Sequence, residues 1–362
     1  MRVVRTISKI LFPLLCVIVA GCAETNHGLR PDGTEYADYF DIVQKDSIAG
    51  VVTISPATSM TDTLWLDRPM DKIVCMSTSH VAALSAIDAV SAVKGVSGLR
   101  YISDPTLDRT AVPEIGYDAA LDYETILKLS PDLLVAYAVD GAEPSYVHKL
   151  RSLGVKTLLL HDHLENHPLA RAEYVRLFGA LTGRQHLADS VFSEVRDRYL
   201  RLAASVECNV TVKVLINIPY GDAWFIPGKE GYMARLVEDA GGEILGSPSG
   251  TAASKVVTLE KAYEYSMDAD LWLNPGACRS REELMQAHHM FSRFGPVANG
   301  LPIYNNIRCV NEGGGNDFWE RGAMRPDLIL QDLISIFARA NRDVLNKKED
   351  SPEENLLFHI VL

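Results

Sequence analysis

Two turn-rich stretches of this 362-residue chain carry aromatic side chains. Residues 219–227 begin and end with proline and contain Gly-Asp-Ala, while residues 313–319 begin with three glycines followed by Asn-Asp. Because such residues form turns, we expect both stretches to present their rings on the surface, where flat faces can stack on a ligand. Burial in the core is the alternative, above all for Phe225 and Phe318. The rings in these stretches are Tyr220, Trp224, Phe225, Phe318 and Trp319.

Clustered histidines raise the possibility of a metal site. His161, His163 and His167 lie within seven residues, and such a group could hold zinc or manganese. However, His161 and His163 follow a predicted strand end, so nothing in the sequence holds them on one helical face. The sequence therefore does not predict a dedicated metal site, and a zinc- or manganese-binding protein is the less favoured alternative.

Motifs of the common enzyme classes are missing from the sequence. It contains no GxSxG nucleophile turn, no HExxH zinc motif and no GxxxxGK[ST] phosphate loop. Asp122 and Glu124 are interpreted as the acidic start of a helix rather than as a catalytic pair. We therefore expect no catalytic residues and no cofactor.

The charge balance argues against nucleic-acid binding. The chain has 35 Lys and Arg against 47 Asp and Glu, a formal net charge of −12. It has no run of five basic residues, so no basic face for a phosphate backbone is expected.

The N-terminus is typical of an export signal. Basic residues precede an uncharged run of eleven residues, 10–20, which is too short to span a bilayer. Val-Ala-Gly-Cys at 19–22 resembles the bacterial lipoprotein signal, so we expect residues 1–21 to be removed and Cys22 to be lipidated. An ordinary cleavage site is the alternative. Residues 22–47 are interpreted as anchor and tether, which predicts a protein attached to the cell envelope and facing the periplasm or the exterior.

Four further cysteines, at positions 75, 208, 278 and 309, would then enter a compartment that permits disulfides. Their spacing allows three pairings and equally four free thiols.

Short apolar runs alternate with helical patterns from residue 71 onward, which predicts βα units and parallel sheets. One set covers strands at 72–76, 93–96, 133–136 and 157–160, and a second set covers strands at 212–216, 271–273 and 307–310. Helical spacing without strand formers separates the two sets. The predicted fold is α/β, with two Rossmann-like lobes (48–183 and 207–343), one long linking helix (184–206) and a C-terminal extension (344–362).

The chain resembles a known family, the substrate-binding proteins of ATP-binding-cassette importers for iron chelates and vitamin B12. The resemblance is carried by the order and spacing of short motifs, each weak by itself, behind the lipoprotein signal. They lie at 71–80, 95–103, 129–135, 238–242, 314–322 and 324–333. The resemblance implies two lobes joined by a rigid helix, a ligand in the cleft between them and only a small hinge motion.

The resemblance also implies roles for individual residues. Family members dock on the permease through one acidic residue per lobe, and Glu124 and Glu260 lie at the matching positions; capping of a helix is the alternative for both. The ligand would be held by loops after the strands, where polar groups and aromatic rings converge. The candidates are Thr78, Ser79, Arg100, Tyr101, Tyr137, Tyr220, Trp224, Phe225 and Trp319.

The function expected from this resemblance is capture and delivery of a ligand to an ABC permease and its ATPase. The ligand would be an iron(III)-siderophore or haem-type complex, with cobalamin as the alternative, so the iron or cobalt would arrive with the ligand. Arg100 would suit carboxylates or a phosphate on such a molecule.

Overall fold

The computed structural model describes residues 33–117, 120–138, 142–206, 210–344 and 356–362. The predicted signal at 1–21, the lipidation site Cys22 and Cys208 lie outside the described residues. Of the other cysteines, Cys75, Cys278 and Cys309 are free thiols. Within the described ranges no helix is both long and apolar enough to cross a membrane.

The first lobe is built on a four-stranded parallel sheet. Its strands are β4 (Ile73–Cys75), β5 (Val93–Val96), β6 (Leu133–Tyr137) and β7 (Thr157–Leu160), and its helices are α1 (Thr78–Ala86), α2 (Tyr123–Leu129) and α3 (Ser145–Ser152). The strand order is β5-β4-β6-β7. All three residues of β4 and four of the five residues of β6 are buried, as in sheets covered by helices on both faces.

The second lobe repeats this design around a five-stranded sheet. Its strands are β8 (Val212–Ile216), β10 (Gly242–Ile244), β12 (Leu271–Leu273), β13 (Ile303–Asn305) and β14 (Ile360–Val361), in the order β10-β8-β12-β13-β14. A separate antiparallel pair is formed by β9 (Trp224–Ile226) and β11 (Lys255–Val257). Its helices are α6 (Tyr232–Asp239), α7 (Leu259–Ser266), α8 (Arg281–Ala287), α9 (Gly295–Ala298), α10 (Arg321–Met324) and α11 (Pro326–Val344). The strand predicted at 307–310 is wrong, because residues 303–305 pair with β12 instead.

The lobes are joined by the predicted long helix, α5 (Gln185–Ala204). A shorter helix, α4 (Pro168–Thr182), precedes it and packs along it. Helix α4 contacts α1 of the first lobe and both α6 and α10 of the second. One buried cluster therefore runs through both lobes and includes Val135, Phe178 and Leu215. A shared core of this kind resists large relative motion of the lobes.

Both ends of the chain depart from the predicted boundaries. The tether predicted at 22–47 is in part folded, since β1 (Phe40–Lys45) pairs with β2 (Ile48–Ile54) and β2 with β3 (Thr61–Leu66) in an antiparallel sheet. We call this the N-terminal sheet. The extension predicted at 344–362 is also in part folded: Asp332 accepts hydrogen bonds from the backbone N–H groups of residues 357–359, and β14 pairs antiparallel with β13. A two-residue strand has no periodicity that a sequence pattern could reveal.

Candidate functional site

A cavity of about 450 Å³ lies between the two lobes, where β7 and β8 end. Carboxyl ends of parallel strands are the usual position for ligands in α/β folds. Residues from three parts of the chain line the cavity. They are Tyr39 and Pro56 from the N-terminal sheet, His163–Asn166 after β7, and Asn217, Pro227, Gly231–Met233, Ala252–Ser254 and Trp319 from the second lobe.

The first-lobe side contains one carboxyl group, that of Glu165, which is already engaged. It accepts hydrogen bonds from the backbone N–H groups of Asp38 (2.9 Å) and Tyr39 (3.0 Å) and from the hydroxyl of Tyr174 (3.0 Å). Burial raises the pKa of Glu165 to about 8, so the group is largely protonated near neutral pH. This wall therefore brings little negative charge to the cavity.

The second-lobe side combines an amide, a helix start and aromatic rings. Asn217 follows β8 in the left-handed region (φ 67°), and its side-chain amide donates to the carbonyl of Phe225 (3.0 Å). Gly231 is the N-cap of α6, and Tyr232 and Met233 begin its first turn, at the positive end of the helix dipole. Trp319 is 44% exposed, so a ligand can reach its ring.

A buried arginine lies beside the cavity, between the lobes. Arg171 of α4 is 8% exposed; its guanidinium lies 3.8 Å from Asp162 of the first lobe and over the ring of Tyr232 of the second lobe. Its Nε atom has no hydrogen-bond partner among the residues that the structure describes. Although burial would raise the pKa of Asp162, a hydrogen bond with His163 and the nearby cations hold it well below its usual range. The Arg171 guanidinium thus contacts both Asp162 and the ring of Tyr232, which lines the cavity.

A second interlobe cavity, of about 530 Å³, lies between α1, α5 and residues 317–325. Most of its charged groups are engaged with protein partners. Arg321 pairs with Asp317 at 2.8 Å, and Glu320 accepts hydrogen bonds from the backbone N–H groups of Ser103 and Asp104 in the first lobe. The 450 Å³ cavity is therefore the better candidate for a ligand site, because it lies at strand ends and contains the exposed ring of Trp319.

The structure contradicts one of the expectations for aromatic residues. Trp224 is fully buried, stacks on Trp272 and Phe294, and donates its indole N–H to the carbonyl of Ile216 at 2.9 Å. The residue lies on β9, whose alternation turns Trp224 inward and Phe225 outward. Trp224 is therefore a core residue, and the prediction that it contacts the ligand is wrong.

The other second-lobe candidates lie apart from one another. Phe225 is 41% exposed on the outer face of β9 and Tyr220 is 86% exposed in the preceding turn, and neither lines the cavity. Phe318 is buried against Phe358. Of the nine predicted ligand residues, Trp319 is the one that lines the 450 Å³ cavity.

The first-lobe candidates surround the cavity without lining it. Tyr137 is half-buried at the end of β6 with its ring 6.1 Å from that of His163, and Ser79 is buried with its hydroxyl 3.4 Å from Asp162. Thr78 begins α1 beside Ser79.

Arg100 and Tyr101 form an interlobe contact rather than part of the cavity. The Arg100 guanidinium stacks on Tyr101 and hydrogen-bonds its hydroxyl. Their backbone carbonyls lie so close to Gly313 and Gly315 that a Cβ at either glycine would clash, which explains the glycine-rich loop.

The histidines do not assemble a metal site. His167 caps α4 by accepting the N–H of Leu169, and His161 is buried beside Tyr39. In the part of the chain that the structure describes, no three His, Cys, Asp or Glu side chains are placed to share a metal ion.

Sequence reasoning missed most of the cavity-lining residues. Asn217 carried a usable signal, because an asparagine directly after a buried strand is typical of a left-handed position at the strand end. Of residues 163–166, only His163 has a sequence signal, and that signal is for a metal ligand. Tyr39 and Pro56 have none, because Tyr39 lies in the predicted tether and Pro56 near the start of the predicted first lobe.

Comparison with known proteins identifies the family and the fold. Residues 73–301 match the family model described as periplasmic binding protein. An uncharacterized lipoprotein of Methanocaldococcus jannaschii is 24% identical over 287 residues, which cover 75% of this chain and 66% of that protein. The chain thus spans just under two thirds of that relative.

Two solved structures illustrate the shared fold. A periplasmic vitamin B12 binding protein of Vibrio cholerae superposes with a TM-score of 0.57 at 14% identity, covering 76% of this chain and 99% of its own. A protein of the ABC-type Fe3+-hydroxamate transport system of Saccharomonospora viridis superposes with a TM-score of 0.56 at 19% identity, covering 76% and 96%. The predicted class, a binding protein and not an enzyme, is confirmed, and the chain belongs to the periplasmic binding protein family.

Proposed function

We propose that this protein captures a compact iron(III) chelate, of siderophore or haem type, between its lobes and delivers it to an ABC importer. The observation that carries the proposal is the 450 Å³ cavity at the strand ends, lined by aromatic rings and amides of both lobes. The iron would arrive with the ligand, so no resident cofactor is required.

The chemistry of the lining fits a chelate with an aromatic or apolar body and oxygen atoms at its edge. Tyr232 and Trp319 offer ring faces, while Asn166 and Asn217 offer amides. The first turn of α6 favours anionic oxygens, and Glu165 does not repel them while it is protonated.

The size of the cavity favours an iron chelate over cobalamin. At about 450 Å³ it lies in the lower half of the range of roughly 300–1,000 Å³ that holds drug-sized ligands. A corrinoid with its nucleotide loop is larger than such ligands and would need the lobes to separate. The core shared through α4 and the contacts of residues 313–320 with the first lobe oppose that separation.

Delivery would use Glu124 and Glu260. Both carboxylates are exposed in the first turns of their helices, α2 and α7, one on each lobe. Glu124 pairs with Lys128 at 2.7 Å on the surface, a contact weak enough to be exchanged for a permease arginine. Lipidation of Cys22 would hold the protein beside the permease at the outer face of the membrane.

Equilibrium dialysis tests the ligand proposal. Purified protein is dialysed against ferric ferrioxamine, ferric enterobactin, haemin, cyanocobalamin and ferric citrate, and bound metal is quantified. We expect saturable binding of one iron chelate per chain, weakened by Trp319→Ala and by Asn217→Ala but not by the control Tyr220→Ala. Preferential binding of cyanocobalamin would contradict the choice of iron, and binding of no chelate would contradict the function.

A further inference from the structure

The N-terminal sheet precedes the family-matched residues 73–301, yet it is bound firmly to the first lobe. Glu173 of α4 accepts hydrogen bonds from the backbone N–H groups of Glu35 (2.6 Å), Tyr36 (2.8 Å) and Ala37 (2.9 Å). Glu165 accepts those of the next two residues, 38 and 39. The five consecutive backbone N–H groups of residues 35–39 thus donate hydrogen bonds to two carboxyl groups that are at most 1% exposed.

Apolar and ionic contacts add to this attachment. Phe40 is fully buried with its ring 4.5 Å from that of Tyr174. Glu35 pairs with Arg196 of α5 at 2.7 Å. The segment that leads into β1 therefore has a fixed position relative to the cavity.

That position places two residues next to the strands of this sheet in the wall of the cavity. Tyr39 precedes β1 and Pro56 follows β2, and both line it opposite Tyr232 and Trp319 of the second lobe. Tyr39 also lies edge-on to His161, with ring centroids 6.3 Å apart, which orients its ring. A ligand bound between the two lobes would therefore also contact the residues that flank this sheet.

We propose that the N-terminal sheet is a third wall of the ligand cavity, where Tyr39 and Pro56 contact the organic body of the chelate and limit the size of ligand accepted. This inference deepens the proposed function and rests on it. Burial raises the pKa of Tyr39, so its hydroxyl stays protonated and can donate a hydrogen bond to a chelate oxygen.

Dissociation constants of three cavity variants and one control test the third wall. Tyr39→Ala removes the ring, Tyr39→Phe removes only the hydroxyl, and Pro56→Trp adds bulk to the wall. Trp65→Ala, on β3 and not in contact with the cavity, is the matched control on the same sheet. Each protein is dialysed against ferric ferrioxamine, ferric enterobactin and haemin, and its thermal unfolding is recorded.

We expect Tyr39→Ala to raise the dissociation constant of the chelate that wild type binds about tenfold, as for the loss of a buried aromatic contact. The same variant should shift selectivity toward bulkier chelates. Pro56→Trp should weaken binding of the largest chelate most, and Trp65→Ala should change no dissociation constant. If wild type binds a chelate while folded Tyr39 and Pro56 variants bind it within twofold with unchanged selectivity, the third wall is refuted and the proposed function stands. If wild type binds no chelate, the proposed function fails first.

Discussion

Removing the carboxyl group of Glu173 should release the N-terminal sheet. Glu173→Ala leaves three backbone N–H groups without their acceptor and Arg176 without its 2.9 Å partner. Each buried N–H left unsatisfied costs about 1–3 kcal/mol. Part of this is offset because burial raises the pKa of Glu173, so the carboxylate itself is costly to bury. We expect a net loss of about 3 kcal/mol in the free energy of unfolding, and a smaller loss for Glu173→Gln, which keeps one acceptor oxygen.

Urea unfolding and amide hydrogen exchange measure this effect. The loss should come with faster exchange at residues 35–39 and along β1, while β8 in the second lobe keeps its protection. Glu238→Ala, which removes an exposed carboxylate from another helix, is the control and should cost less than about 0.5 kcal/mol. A loss below about 1 kcal/mol for Glu173→Ala, or unchanged exchange at 35–39, would refute the reasoning.

Three further predictions concern pH, the core and docking. Burial raises the pKa of Glu320 from its ordinary 4.5 to about 7, so between these pH values the folded state holds a proton that the unfolded state has lost. Glu320 should therefore lower the free energy of unfolding by up to about 3 kcal/mol from pH 4.5 to 7, and a Glu320→Gln protein with the same slope as wild type would contradict this. Trp224→Ala should cost about 3–5 kcal/mol in urea unfolding and Phe225→Ala less than about 1, and equal losses would contradict the opposite burial of the two rings. The double variant Glu124→Arg, Glu260→Arg should bind ligand normally and abolish uptake into cells, and normal uptake would exclude docking through these residues.

The lobes could be predicted from sequence because buried parallel strands produce short, continuous apolar runs. Residues 157–160 and 212–216 form strands with the predicted bounds. Trp224 was misplaced because glycine and aspartate nearby indicated a turn, whereas the chain pairs β9 with β11 and turns alternate residues inward. A three-residue strand is too short for its period of two to be recognised beside such turn residues.

The N-terminal sheet and much of the cavity could not be predicted because they depend on contacts distant in sequence. Residues 35–39 are held by Glu165 and Glu173, which lie more than 120 residues away. No local pattern distinguishes Glu173 from an exposed helical glutamate. Which loops after the strands converge on one cavity is likewise decided by how the second lobe packs on α4.

Hydrogen exchange of the protein with and without its bound iron chelate tests the central claim most directly. The account predicts slower amide exchange in the ligand-bound protein at residues 163–166, 231–233 and 252–254, the cavity walls of the two lobes. The outer turn at 220–223 should exchange at the same rate in both states. Saturable chelate binding with protection confined to that outer turn, or to the second interlobe cavity at 103–106 and 317–325, would contradict it.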